Sequence, residues 1–69
     1  MKYVAVVERG KDGWGAYVPD LPGCVAVGPT REFVAEKIRE GIRLHIESLR
    51  THGEVVPEAT AIALTIDAV

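Results

Sequence analysis

WGAYVPDLPGCVAV, residues 14–27, decides the fold of this chain. Residues 14–18 alternate, with Trp14, Ala16 and Val18 on one side and Gly15 and Tyr17 on the other, as a strand requires. Pro19 ends that strand, because proline brings no ladder donor. Asp20 is suited to accept hydrogen bonds from backbone amides. Leu21-Pro22-Gly23-Cys24 fits a type II turn with proline and glycine in its two central places. Pro19, Pro22 and Gly23 are therefore turn residues, and the chain reverses into a short strand, CVAV, closed by Gly28 and Pro29.

Upstream, residues 2–8, KYVAVVE, are rich in β-branched and aromatic types. The RGKDG that follows holds an Asp-Gly pair suited to positive φ, so the first two strands form a hairpin. Strand 1 is apolar on both faces, with Tyr3, Ala5 and Val7 opposite Val4 and Val6. Downstream, Thr30 stands as N-cap of a helix, with Glu32 and Glu36 in its early turns. Val34, Ile38, Ile42, His45 and Leu49, joined by Phe33, Gly41 and Ile46, form one apolar stripe. The helix runs to about Thr51, roughly 30 Å at 1.5 Å per residue, and His52-Gly53 stops it. Gly41 costs the helix about 1 kcal/mol relative to alanine, and close helix–sheet packing is the expected reason for it. AIALTIDA, residues 61–68, sets Ile62, Leu64 and Ile66 against Ala61, Ala63, Thr65 and Asp67, the pattern of a half-buried strand.

The expected fold is α+β with the order β-β-β-α-β: a small, mostly antiparallel sheet carrying one long helix on one face. At 69 residues it is one domain, 1–69, near the lower size limit for a chain that folds alone. One helix covers one face of a sheet, so the other stays open. With 48% hydrophobic residues, self-association or a protein partner is expected, a dimer first of all.

Composition narrows the function. The lone cysteine, Cys24, excludes an internal disulfide, and no Cys/His cluster stands near it to hold zinc, so no metal and no cofactor are expected. Cys24 reads as packing. A single unpaired cysteine fits a reducing cytoplasm, and the apolar run at the start is too short for a signal or a membrane span. Eight Lys+Arg against ten Asp+Glu leave a formal charge of -2 without basic blocks, which disfavours direct nucleic-acid binding. Ser48 and Thr51 lack a base nearby in sequence, His45 sits on the apolar stripe, and His52 suits the helix C-terminus. If strands 1 and 4 run parallel, Glu8, Glu36 and Asp67 come together at one end of the domain, as a two-metal nuclease or related hydrolase requires. That is the enzymatic alternative.

DGWGAYVPDLPGCVAVGPT, a helix opening at TREFVAEKIREGIRLHIESL, and GEVVPE before the last alternating run together resemble the HicB antitoxin family over nearly the whole chain. The most specific part is VPDLPGC with Gly-x-Thr four residues on, Gly28 to Thr30. The resemblance implies a partial RNase H-like fold without nuclease function. It further implies a type II toxin–antitoxin role, in which the domain binds and occludes HicA, a small basic toxin that cleaves mRNA. Trp14, Asp20, Leu21 and Pro22 are the contact residues expected on that reading. Many members of the family carry a DNA-binding segment after the last strand. The chain stops at Val69 without one, so operator binding is not expected. An orphan protein-binding domain without a toxin is the third reading.

Overall fold

The computed structural model describes residues 1–68, so the last residue of the expected 1–69 domain lies outside it. Three strands, β1 (Val6–Arg9), β2 (Trp14–Tyr17) and β3 (Val25–Gly28), precede one long helix, α1 (Arg31–Thr51). The sheet is antiparallel in the order β1-β2-β3, so the fold is α+β with a small open sheet. Val6 pairs with Tyr17 and Tyr17 with Val25, while Glu8 pairs with Gly15 and Gly15 with Val27. Val7, Ala16 and Ala26 make the matching row on the other face. β1 starts at Val6 rather than at residue 2. In the same register Val4 would face Pro19, which has no N–H to give and already belongs to the turn.

The helix covers the Val7–Ala16–Ala26 face. Ala16, Val18, Leu21, Cys24, Val34 and Ile38 form the buried core, and Tyr3, Ala5, Val7, Trp14, Ala26, Ile42 and Ile46 pack around it. Both helix ends are built as expected. The Thr30 hydroxyl accepts the Phe33 amide at 3.1 Å. At the other end Glu54 N–H reaches the Leu49 carbonyl at 2.8 Å and Gly53 N–H that of Arg50 at 3.1 Å, with Gly53 at φ 69°, which is a Schellman stop. On the solvent face Arg43 pairs with Glu40 at 2.7 Å and with Glu47 at 3.2 Å.

Three details differ from expectation. The hairpin glycines do not take positive φ, which among the described residues occurs only at Gly23 and Gly53. Gly13 is needed for space instead: a Cβ there would lie 2.7 Å from the Gly28 carbonyl oxygen. Gly41 is not a point of close approach, because the nearest atom to an added Cβ is Cys24 Sγ at 3.7 Å, an ordinary contact distance. The third difference is the fourth strand. Residues 61–68 join no ladder, and Ile62, Leu64 and Ile66 are 77, 73 and 77% exposed. Before it, Tyr3 Oη donates to the Pro57 carbonyl at 2.6 Å, and Asp20 accepts from the amides of residues 60 and 61 at the β2–β3 turn. The radius of gyration, 13.3 Å, accordingly exceeds the value near ~11 Å of a compact chain this long.

Candidate partner-binding surface

VPDLPGC folds as two successive turns that share Leu21. Leu21 N–H donates to the Val18 carbonyl at 3.1 Å across Pro19-Asp20, and Cys24 N–H donates to the Leu21 carbonyl at 3.0 Å across Pro22-Gly23. Gly23 has φ 86°, as the second central place of a type II turn demands. Val18 N–H to the Cys24 carbonyl at 3.1 Å closes the loop. The result is a period of three: Val18, Leu21 and Cys24 point into the core, while Pro19, Pro22 and Gly23 stay outside.

Asp20 takes the remaining position. Its carboxylate accepts the Ala61 amide at 2.8 Å, the Thr60 amide at 2.9 Å and the Thr60 hydroxyl at 2.8 Å. The amides it was expected to accept thus come from forty residues away rather than from its own turn. These donors favour the charged form, the Ala61 amide most and the Thr60 hydroxyl next, and hold the carboxyl below its ordinary range. Cys24 is buried, and burial pushes its thiol up, away from the reactive thiolate.

The face turned away from the helix carries Val6, Tyr17 and Val25 in one row and Glu8, Gly15 and Val27 in the next. Val25 and Val27 are 67 and 79% exposed, and Tyr17 is partly so. Beside them a shallow hollow of about 490 Å³ opens among Asp12, Gly13, Trp14, Val27 and Gly28. Exposed valines and a tyrosine on a flat strand surface form an apolar patch on one side of a molecule whose helix is charged on the other. Large exposed apolar patches on soluble proteins are where partners dock.

The residues singled out in the sequence fall into different environments. Leu21 is wholly buried and offers no surface, so its contact role is corrected to that of core anchor. Trp14 is half-buried and packs against the core while lining the hollow. Asp20 is engaged by residues 60 and 61, and Pro22 alone of the four is freely exposed. Glu8, Glu36 and Asp67 are not brought together. Glu8 lies on the open face, Glu36 on the helix across the sheet beside Arg39, and Asp67 on the unpaired segment. Among the described residues no group of three or more His, Cys, Asp or Glu side chains stands where a metal ion could be held. No helix among them is long and apolar enough to cross a membrane. The exposed Val25 and Val27 were missed in the sequence. Their signal was the alternation of CVAV, whose outward positions are as apolar as its inward ones.

Residues 3–68 match the family described as HicB_like antitoxin of bacterial toxin-antitoxin system. The chain belongs to that family. A UPF0150 protein of Thermoplasma acidophilum is 39% identical to this HicB-like chain over 69 residues, covering 99% of this chain and all of that one. A UPF0150 protein of Synechocystis is 39% identical over 57 residues, 81% of this chain and 72% of its own length. An uncharacterized 14.9 kDa protein of Haemophilus phage HP1 is 34% identical over 62 residues, 90% of this chain but 47% of the phage protein. No solved structure matches. The match covers the three strands, the double turn, the helix and residues 61–68 alike.

Proposed function

We propose that this chain is a HicB-like antitoxin that works by binding rather than catalysis. It captures a small basic HicA-like toxin in the cytoplasm and covers the surface with which that toxin cleaves mRNA. The observation that carries this reading is the uncovered apolar face of Tyr17, Val25 and Val27 on a chain of an antitoxin family. Glu8 stands in the same rows and Asp12 borders the adjoining hollow, with Arg9 and Lys11 of the same hairpin beside it, so charged groups of both signs rim the apolar centre. An apolar centre with a charged rim gives affinity at the centre and selectivity at the rim. Pro22 and the exposed part of Trp14 extend that surface. The protein also self-associates, since so small a domain leaves much apolar surface in water.

Co-purification with a HicA-like toxin from the same genome tests this reading. A stoichiometric complex that weakens as salt rises is expected, with toxin-arrested growth restored on co-expression. Val27→Asp should abolish capture while leaving the thermal melt in place, because Val27 is on the surface. Failure to bind any such toxin, or capture undiminished by Val27→Asp, overturns it.

A further inference from the structure

The sheet has an open edge at β1, and next to that edge lies an open groove. The helix sits over β3 and β2 more than over β1, which leaves a cleft of about 370 Å³ between β1 and the helix. Tyr3, Ala5 and Val7 line one side and Ala35, Ile38 and Ile42 the other. In a sheet of four strands this is the place that the inward side chains of the fourth would fill. The chain also carries a segment shaped for that place. Residues 61–68 join no strand, and their sequence alternates Ile62, Leu64 and Ile66, all exposed, with smaller or polar residues. At 3.3 Å per residue they span roughly 26 Å, the length of residues 2–9 drawn out along β1. The chain's own segment does not occupy its own groove. Its root is held by Asp20 at the β2–β3 turn, through three hydrogen bonds of 2.8–2.9 Å.

We propose that residues 61–68 are an exchange arm that adds a fourth strand to the β1 edge of a second copy of this chain, with Ile62, Leu64 and Ile66 seated in the groove of that copy. The exchange is reciprocal about a two-fold axis, so each chain gives one arm and receives one. It removes an apolar strand, an apolar groove and an unpaired sheet edge from water together, which no contact between open faces would do. Asp20 is the clamp that sets where the arm leaves the domain. The open face of Tyr17, Val25 and Val27 stays free for a different partner. The inference deepens the self-association of the proposed function and does not depend on the toxin.

The test uses the full chain alone, so its outcome is separate from toxin binding. Light scattering after size exclusion should give the mass of two chains for the wild type. Leu64→Asp should give the mass of one chain with an unchanged helical circular dichroism signal, and Val27→Asp should remain at two. As a second measurement, Ala5→Cys is mixed in turn with Ile62→Cys, Leu64→Cys and Ile66→Cys, each prepared separately, under mild oxidation. A disulfide joining the two different variants is expected in at least one pair. A monomeric wild type, a dimer that survives Leu64→Asp, or a dimer broken by Val27→Asp but not by Leu64→Asp overturns the proposal. Absence of a mixed disulfide in all three pairs does the same.

Discussion

Gly41→Ala should stabilise this protein. Glycine within a helix costs about 0.5–1 kcal/mol relative to alanine, through the larger backbone entropy it gives the unfolded chain. That gain is realised only if the methyl group has room. In the folded chain the nearest atom to it outside the local helix is Cys24 Sγ at 3.7 Å, an ordinary van der Waals distance, and Gly41 does not take a positive φ. No steric term opposes the entropy, and the new methyl fills space beside the buried thiol. For a domain of this size 1 kcal/mol moves the melting midpoint by about 4–8 °C, so a rise of roughly 2–8 °C is expected. The assay is thermal unfolding followed by circular dichroism, with urea unfolding alongside to check that the m-value does not change. Both are run at one fixed protein concentration, because self-association makes the midpoint concentration-dependent. A midpoint that falls would refute the reasoning, since it would mean that position 41 is filled by something other than solvent and Cys24.

Three further outcomes follow from particular contacts. The same change at Gly13 should have the opposite sign, a loss of about 1–3 kcal/mol in the same melts, because its Cβ would meet the Gly28 carbonyl oxygen at 2.7 Å and only a backbone shift relieves that. Leu21→Ala empties the centre of the core at a cost of about 2–5 kcal/mol, comparable with the whole stability of so small a domain, so its helical signal at 25 °C should be largely lost. Asp20 has a folded-state pKa below its unfolded value, so its stabilisation is complete above the ordinary carboxylate pKa and is lost as pH falls through the lowered one. The amide resonances of Thr60 and Ala61 should therefore hold steady near neutrality and shift together in acid, and they should lose that transition in Asp20→Ala.

Most of the fold is legible in local chemistry. The helix from Arg31 to Thr51 follows from its apolar stripe, the Thr30 cap and the Gly53 stop, each a short-range effect that no distant contact overrides. The face assignments of the first three strands follow from alternation, and the type II turn at Leu21–Cys24 from proline and glycine side by side. The site was less legible. Asp20 and Leu21 are neighbours in one turn, yet one binds residues 60 and 61 and the other closes the core. Turn chemistry places both residues without saying which way either points, because that depends on what packs beneath the turn.

Two features show where local pattern stops being sufficient. Alternation in residues 61–68 identifies a segment that gains by lying flat on an apolar surface, and it does so whether that surface belongs to the same chain or to another. Pattern on its own thus read one helix, a turn signature shared with an antitoxin family and four strands, of which residues 61–68 form none in the folded chain. Only the tertiary structure decided that the segment stands outside the chain's own sheet, that Glu8 and Glu36 lie on opposite sides of that sheet, and that Gly41 has room for a methyl group. The physical reason is range. Propensity, capping and alternation act over a few residues, whereas the Asp20 clamp, the β1 groove and the space around Gly41 each arise where residues distant in sequence meet.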